Sequence, residues 1–207
     1  MKHIFITGIG TEVGKTVASA IVTEALQADY FKPIQAGDLE NSDTHKVERL
    51  VSNSVTKFHP NAFALKTPMS PHAAAEIDQV QIKAEEVKRP TTTNDYLVIE
   101  GAGGLLVPIN STQTIADLMQ QEDKIIVVSR HYLGSINHTL LTIEALKSRG
   151  LTCAGIIFSG EKHPTTESII EEMAQVPILG RIDQEPYFDE NVVREYAEIF
   201  REKLNNL

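Results

Sequence analysis

Apolar residues along this chain form two kinds of pattern that alternate with one another. Compact apolar runs predict strands at residues 3–7, 29–32, 96–100, 124–129, 152–158 and 176–182. Between them, amphipathic spacing predicts helices at residues 15–28, 41–50, 114–119, 133–149, 163–174 and 187–204. Near-continuous apolar strands are typical of a parallel sheet that is covered on both faces. The alternation therefore predicts an α/β fold, a parallel β-sheet with helices on both faces.

The remaining segments carry weaker signals. Residues 34–38 and 54–71 are predicted to form loops. A short Ala-rich helix is expected after Pro71, and a short charged helix at residues 82–89. No internal repeat, low-complexity tract or linker marks a boundary, so residues 1–207 are expected to form a single domain.

Charge and composition narrow the classes of partner. The formal net charge is −9, which argues against a nucleic-acid surface. The lone Cys153 lies in an apolar run, so a core position is favoured over a nucleophile. The chain enters a strand at once, without a leader, and no apolar run approaches the roughly 18 residues of a membrane helix. A cytoplasmic protein with no nucleic-acid or membrane partner is therefore expected.

Candidate chemistry begins with residues 8–16, GIGTEVGKT, which join the first strand to the first helix. A glycine-rich turn closed by Gly-Lys-Thr in this context is typical of a phosphate-binding loop, and so predicts a P-loop nucleoside triphosphate hydrolase fold. Glycines let backbone N–H groups approach an anion, and the helix N-terminus adds a positive dipole. Lys15 supplies a charge for the terminal phosphates, and Thr16 offers a hydroxyl to Mg²⁺.

This loop departs from the general motif in length. Five residues separate Gly8 from Gly14, where the general motif has four. Thr11 and Glu12 therefore lie near the tip of a longer loop. The alternative is a chance glycine-rich turn, which the Gly-Lys-Thr in this context disfavours.

Three polar residues at element ends each have a functional and a structural interpretation. Lys32 ends the second strand, at the sheet edge where ligands bind, but a surface lysine is equally consistent with that position. Asp43 is a Mg²⁺ ligand or, as position alone favours, an early helical acid beside an N-cap at Asn41 or Ser42. Glu100 ends a buried strand, the position that holds Mg²⁺ or its water shell in phosphate-loop enzymes.

Two further segments have the composition of ligand-binding turns. Residues 101–104, GAGG, follow a buried strand and indicate backbone in contact with a ligand, although a tight turn would explain one of the glycines. Residues 134–138, GSINH, open a helix whose free N–H groups could bind a carboxylate. An ordinary helix capped by Ser135 is slightly favoured from the residues alone.

Six segments together carry a resemblance to a known family. They are GIGTEVGKT at 8–16, KP at 32–33, NSD at 41–43, SPH at 70–72, EGAGG at 100–104 and GSINH at 134–138. In this order and over nearly the whole length, the chain resembles the dethiobiotin synthetase family. The resemblance implies a homodimeric, ATP- and Mg²⁺-dependent ligase of biotin biosynthesis.

The implied reaction converts 7,8-diaminopelargonic acid, CO₂ and ATP to dethiobiotin, ADP and phosphate. One amine captures CO₂ as a carbamate, a carbamate oxygen attacks the γ-phosphate to give a carbamic–phosphoric anhydride, and the second amine closes the cyclic urea. Both reactants of the middle step are anionic, so positive groups are needed between them. Lys15, Lys32 and Mg²⁺ would supply that charge.

The resemblance also assigns roles to matched positions. The implied catalytic residues are Lys15, Lys32 and Thr11, and the implied Mg²⁺ ligands are Thr16, Asp43 and Glu100. The nucleotide is expected to contact Gly10, Thr11, Glu12, Val13, Gly14, Lys15, Thr16, Val17, Glu100, Gly101, Gly103, Ser159, Arg181 and Ile182. The substrate is expected to contact Thr11, Lys15, Lys32, Ala36, Gly101, Ala102, Gly103 and Gly104. In the family the partner subunit adds the segment matched by Gly134, Ser135, Ile136 and Asn137. These roles favour function over capping for Asp43, Ser135 and Asn137.

The chain departs from the family pattern at several positions. Ala36 stands where the family often has a hydroxyl residue, so one substrate hydrogen bond is absent or comes from Gln35. Ser159 stands where the family often has an asparagine that recognises adenine. A serine hydroxyl cannot offer the paired donor and acceptor of an amide. Another triphosphate is therefore expected to serve alongside ATP. Residues 181–185, in the least similar part, are expected to border the base.

Two other functions stay open from the residues. One is a related ring- or amide-forming ligase that acts on a different amine. The other is a nucleotide-switched dimer that positions proteins or DNA, like the partition ATPases. Those usually carry an extra lysine early in the phosphate loop, which GIGTEV lacks, and the acidic charge disfavours DNA.

Overall fold

The computed structural model describes residues 1–207 and contains one seven-stranded parallel sheet in the order β4-β2-β6-β1-β7-β8-β9. A separate pair, β3 and β5, is also parallel. The strands are β1 Lys2–Gly8, β2 Asp29–Phe31, β3 Ile34–Ala36, β4 Phe58–His59, β5 Phe63–Leu65, β6 Tyr96–Glu100, β7 Lys124–Arg130, β8 Cys153–Ser159 and β9 Ile178–Ile182. The parallel sheet predicted from the apolar runs is confirmed.

Six α-helices connect and cover the strands. They are α1 Lys15–Leu26, α2 Asp43–Leu50, α3 Pro71–Ile77, α4 Ser135–Lys147, α5 Pro164–Ala174 and α6 Glu190–Asn205. None of them combines the length and the apolar character needed to cross a bilayer.

Side chains of alternate strand residues pack against helices on opposite faces of the sheet. Ile4 and Ile6 belong to a cluster with residues of α1, α2 and α6, whereas Phe5 belongs to a cluster with residues of α3 and α4. A third cluster, around Phe158, joins α4 and α5 to β8. Both faces are therefore covered, which explains why the strands are apolar without alternation.

Several local predictions were wrong. Residues 34–36 and parts of 58–65 form short strands, which two or three residues are too few to signal as a pattern. Residues 82–89 form a 3₁₀ turn, Ala84–Glu86, in place of a helix. Here Arg89 donates to both carboxylate oxygens of Asp123 and to the Leu118 carbonyl, which holds the segment against the sheet rather than in solvent. Residues 114–119 contain a 3₁₀ turn, Ile115–Leu118, begun by a capping box between Thr114 and Asp117.

The strand order decides which loops meet at the carboxyl edge of the sheet. β1 lies between β6 and β7, so the loop after Gly8 lies between Glu100 and Arg130. β2 lies on the other side of β6, which places Lys32 next to Glu100. Ser159 and Ile182 end β8 and β9 on the opposite flank of the loop.

Candidate functional site

The phosphate-binding loop adopts a left-handed backbone at two positions. Gly14, just before α1, has a φ of 94°, and Glu12, at the tip, has a φ of 57°. For a residue with a side chain this conformation costs roughly 1–2 kcal/mol, and such strain is often found in ligand-binding loops. At the start of the loop a Cβ on Gly8 would lie 2.6 Å from Cγ2 of Val13. The loop therefore closes tightly on itself and needs glycine at positions 8 and 14.

Lys15 reaches back across this loop. Its Nζ donates to the carbonyl of Gly10 at 2.8 Å, and the residue is buried. Burial lowers the pKa of Lys15 to about 8, and the nearby ammonium of Lys32 acts in the same direction. A phosphate bound by the loop would favour the charged form and raise this pKa again.

Glu100 accepts hydrogen bonds from three side chains, one on α1 and two on β2 or directly after it. Its Oε1 accepts hydrogen bonds from Thr16 Oγ1 at 3.1 Å and from Lys32 Nζ at 2.9 Å. Its Oε2 accepts one from the buried hydroxyl of Tyr30 at 2.9 Å. Lys32 Nζ also lies 2.7 Å from Oδ2 of Asp43. The buried ammonium is thus clamped between two carboxylates beside the phosphate loop.

The titration of these groups follows from that arrangement. Burial alone would lower the pKa of Lys32, but the carboxylates of Glu100 and Asp43 outweigh it and hold the pKa above its ordinary value. Burial would raise the pKa of Asp43, but Lys32 outweighs it and the pKa is lowered. Burial and the Glu100 carboxylate both raise the pKa of Tyr30. Lys32 is therefore charged and Asp43 ionised at neutral pH.

The side chains around Lys32 offer a small set of oxygen ligands of the kind that Mg²⁺ prefers. Thr16, Asp43 and Glu100 supply one hydroxyl and two carboxylates around Lys32. No group of three or more His, Cys, Asp or Glu side chains is arranged to hold a metal ion. Mg²⁺ commonly binds through one or two carboxylates and completes its shell with water and substrate phosphates. The donor set therefore fits a Mg²⁺ ion that binds together with a nucleotide.

An open cavity of about 450 Å³ lies over the phosphate loop. It extends from the Lys32 and Glu100 side of the loop to the ends of β8 and β9. The predicted residues that line it are Thr11, Glu12, Gly14, Lys15, Thr16, Val17, Lys32, Asp43, Glu100, Gly103, Ser159 and Ile182. The structure thus brings all three predicted Mg²⁺ ligands, both predicted catalytic lysines and most predicted nucleotide contacts into one space.

Some predicted nucleotide contacts lie outside this cavity. Val13 is buried beneath the loop. Gly101 is also buried, and its N–H continues the sheet by donating to the Ile6 carbonyl at 2.9 Å. Gly10 turns toward a neighbouring cavity of about 410 Å³. Arg181 does not line the cavity, and its guanidinium pairs with Glu167 and Asp183.

The far end of the cavity is lined by Ser159 and residues 183–185. Tyr196 fixes this end, because its hydroxyl accepts the N–H of Asp183 at 3.0 Å and donates to Oε1 of Glu185 at 2.6 Å. Burial and the Glu185 carboxylate raise the pKa of Tyr196 to about 12, so the hydroxyl stays protonated. The use of other triphosphates, expected from Ser159, stays a prediction.

The predicted substrate contacts do not all line the same cavity. Thr11 and Gly104 line the 410 Å³ cavity together with Gly10, Leu106 and Leu141. Ala102 is partly buried against the core. Ala36 ends β3, where it pairs with Leu65, and lines neither of these cavities.

The start of α4 lines a third cavity, of about 940 Å³, with Gly134, Ser135, Ile136 and Asn137. The N-cap is Gly134, with a φ of 105°, and not Ser135, whose side chain makes no capping bond. Ser135 is buried as the first helical residue, whereas Asn137 is exposed. At the second helix the N-cap is Ser42, which accepts the N–H of His45, and this expectation is confirmed.

Sequence reasoning missed several residues that share the site. Arg130, Gly160 and Phe188 line the 450 Å³ cavity, and the Tyr30 hydroxyl donates to Glu100. Arg130 ends the buried strand β7 at the same edge as Glu100, so the rule that ligands meet the carboxyl ends of parallel strands could have found it. Tyr30 lies inside a strand and gave no such signal.

Comparison with known proteins identifies the family. A family model described as "AAA domain" matches residues 2–192. The ATP-dependent dethiobiotin synthetase BioD of Christiangramia forsetii is 68% identical over 203 residues, which cover 98% of each chain. The corresponding protein of Cytophaga hutchinsonii is 46% identical over 95% of this chain and 96% of its own. This chain belongs to the ATP-dependent dethiobiotin synthetase family. The family's members are ligases of biotin biosynthesis, as the sequence motifs indicated.

Solved structures place the dethiobiotin synthetase fold among P-loop ATPases. A putative plasmid partition protein of Borrelia burgdorferi, bound to AMPPNP, superposes with a TM-score of 0.60 over 100% of this chain and 99% of its own. The septum site-determining protein MinD of Pyrococcus horikoshii, with Mg-ADP, also gives 0.60, over 99% and 95%. Each is 13% identical, so the likeness shows the fold alone. It confirms the predicted P-loop fold and leaves the partition-type function without support.

Proposed function

We propose that this chain forms dethiobiotin from 7,8-diaminopelargonic acid, CO₂ and ATP, with the 450 Å³ cavity as its nucleotide site. The observation that carries the proposal is the position of Lys32. Its buried ammonium touches Asp43 and Glu100 beside the phosphate loop, where an anionic nucleophile would meet a γ-phosphate. Family membership names the reaction, and this geometry supports the residue roles.

The reaction divides into three balanced steps. An amine nitrogen of the substrate adds to CO₂ and loses a proton, which gives a carbamate. A carbamate oxygen bonds to the γ-phosphorus as the bond to the β-phosphate oxygen breaks, which releases ADP. The second amine then bonds to the carbamate carbon and loses a proton, and the C–O bond to phosphate breaks, so phosphate leaves and the cyclic urea closes.

The protein's contribution is charge and position. Lys15, which already spans the loop, would bind the terminal phosphates, and Lys32 would bind the carbamate oxygens at the other side of the γ-phosphate. Two preorganised cations reduce the repulsion between two anions, which is the main barrier to the second step. Thr11, at the loop tip and in both cavities, would orient the substrate between the two sites.

Thr16, Asp43 and Glu100 are the residues that would hold Mg²⁺. The ion would supply Lewis-acid stabilisation of charge on the β- and γ-phosphates. Glu100 is prepared for this role because Tyr30 and Lys32 fix both of its oxygens.

We infer that the chain acts as a homodimer with the substrate at the interface. The 410 Å³ cavity at the loop tip is lined by exposed apolar residues, Leu106 and Leu141, and suits an alkyl chain. Leu133, which is fully exposed, and Ile136 add further exposed apolar side chains at the start of α4, beside the 940 Å³ cavity. A patch of this kind beside an active site is typical of an interface. The free N–H groups at the start of a partner's α4 could then receive the substrate carboxylate.

The remaining expectations are kept as proposals. Residues 1–207 would act as one ligase domain, and the family model spans most of that length. The cytoplasmic location and the absence of nucleic-acid and membrane partners stay predictions from the sequence.

Direct assay tests the function. The protein is incubated with diaminopelargonic acid, bicarbonate and Mg-ATP, and dethiobiotin is measured by mass spectrometry, with reactions lacking each component as controls. Dethiobiotin that requires all three, and ADP formed in equal amount, is the expected result. ATP hydrolysis without dethiobiotin would reject the proposal, and product from a different diamine would point to the related ligase.

A further inference from the structure

Arg130 occupies a distinctive position at the nucleotide cavity. It ends β7, the strand on the opposite side of β1 from Glu100. Its side chain passes over Gly160, where an added Cβ would lie 4.0 Å from Arg130 Cγ. Its Nη1 then donates to the carbonyl of Glu12 at 3.3 Å. The guanidinium is therefore placed between the tip of the phosphate loop and the ends of β8 and β9.

The charge of Arg130 has no partner in the protein. Lys32 in the same cavity contacts two carboxylates, and Arg89 and Arg181 elsewhere each pair with at least one. Arg130 forms no ion pair, although Glu12 is its immediate neighbour. Its side chain is exposed to the cavity, and it shares that cavity with Lys15.

We propose that Arg130 is a phosphate-binding residue of the nucleotide site. A guanidinium has five N–H donors in a planar fork, and the bond to Glu12 uses one of them. The other donors can form hydrogen bonds to phosphate oxygens. Such bonds are strong because they are charge-assisted and can be bidentate. Because Arg130 faces the β8 and β9 side of the loop, it contacts the α- or β-phosphate, across from Lys32 and Glu100.

The bond to Glu12 gives Arg130 a second effect on the same phosphates. In a trans peptide the carbonyl of Glu12 and the N–H of Val13 point in opposite directions, and the chain has no cis peptide bonds. By holding the carbonyl, Arg130 fixes the direction in which the Val13 N–H is presented. It also supports the left-handed backbone of Glu12, which would otherwise relax.

Equilibrium binding of nucleotides tests this role without the second substrate. Calorimetry measures the affinity of the full-length protein for Mg-ATP and Mg-ADP. Arg130→Ala should weaken the affinity for each nucleotide about tenfold or more, which is the scale of one charge-assisted hydrogen bond. The two affinities should fall by similar factors. Arg130→Lys should recover part of the loss. The slope of log Kd against log salt concentration should also fall in Arg130→Ala, because one ionic contact is gone.

Lys162→Ala is the matched control. Lys162 is exposed, lines the 940 Å³ cavity together with Arg130 and does not line the nucleotide cavity. The Lys162→Ala substitution also removes one positive charge, but it should leave both nucleotide affinities and the salt slope unchanged. Unchanged nucleotide affinity in Arg130→Ala would overturn the proposal, and so would equal losses in the two variants. A rise only in the KM of the diamine would overturn it too, by assigning Arg130 to the other substrate. Failure to make dethiobiotin, with these affinities as expected, would reject only the reaction proposed above.

Discussion

Nζ of Lys32 lies 2.9 Å from Oε1 of Glu100, in a contact almost closed to solvent. The strand pairing of β2 with β6 creates this contact, since it puts the residues that follow Phe31 beside the last residue of β6. The same ammonium is 2.7 Å from Asp43, so it occupies the space between two carboxylates that are suited to Mg²⁺. The proposed role of Lys32 is therefore twofold: it would offer charge to the substrate, and it bridges the two carboxylates that are candidate metal ligands.

Lys32→Met should lower turnover at least about a hundredfold, the scale of losing one preorganised charge stabiliser. It should also increase the dependence of thermal stability on Mg²⁺. Without the ammonium, Asp43 and Glu100 repel each other, and a divalent cation relieves that repulsion. Steady-state kinetics and thermal melts with and without Mg²⁺ measure the two effects.

Lys46→Met is the control for that variant. Lys46 Nζ lies 3.6 Å from Asp43 Oδ1, is more exposed and pairs also with Asp38. The loss of its charge should change turnover only a few-fold. Near-normal turnover in Lys32→Met, or equal losses in both variants, would contradict the role given to Lys32.

Nucleotide binding should take up a proton near pH 8. In the free protein Lys15 has a pKa of about 8, so it is about half protonated at that pH. Bound phosphates raise this pKa, so uptake should approach one proton near pH 9 and vanish near pH 6.5. For the same reason Mg-ATP affinity should fall as the pH rises above 8. Calorimetry in two buffers with different ionisation enthalpies measures the uptake; a signal independent of the buffer at pH 8 would refute this prediction.

Two glycines of the phosphate loop should tolerate alanine very differently. Gly14 has a φ of 94°, and a Cβ there would lie 2.8 Å from Oγ of Ser159. Gly14→Ala should cost roughly 1–2 kcal/mol from the backbone alone, or several degrees of Tm, and should weaken ATP binding further by disturbing the helix start. A Cβ on Gly10 meets no atom within 4 Å, so Gly10→Ala should keep its Tm. Equal stability of the two variants in a thermal melt would show that the loop is not held as described.

The apolar surface around α4 should hold two subunits together. Leu133 is fully exposed and packs against nothing in the monomer, so Leu133→Asp should fold normally and shift the molecular mass by light scattering from dimer to monomer. Dethiobiotin formation should fall with it, because the substrate would lose the partner's contacts. Glu198→Lys, a charge change on the exposed side of α6, which packs on the other face of the sheet, is the control and should leave the dimer intact. A monomeric native protein would contradict the inferred interface.

Much of the site could be predicted because its residues occupy positions with strong local rules. Gly14, Lys15 and Thr16 follow from the strand–loop–helix pattern, and Glu100 follows from its place at the end of a buried strand. The sequence could not decide whether Asp43 caps a helix or serves the site. In the structure it is the first residue of α2 and also the partner of Lys32.

The rest of the site depends on contacts between segments distant in sequence. Arg181 looked available for the nucleotide, but Glu167 and Asp183 engage its side chain, and neither pairing has a sequence pattern. In the sequence Tyr30 has the pattern of an ordinary core residue. Only the strand order brings its hydroxyl to Glu100. The short strand Phe58–His59 is held in place by the buried Asp29. The Asp29 carboxylate accepts a hydrogen bond from the N–H of Lys57 and contacts the ring of His59.

The most direct test of the central claim follows oxygen from CO₂ into the products. The protein is given diaminopelargonic acid, Mg-ATP and CO₂ labelled with ¹⁸O in both oxygens, under conditions where carbonate exchange with water is slow. If a carbamate oxygen attacks the γ-phosphate, mass spectrometry will find one ¹⁸O in the released phosphate and one in the urea carbonyl of dethiobiotin. Unlabelled phosphate formed together with dethiobiotin would contradict the anhydride route and the roles given to Lys15 and Lys32.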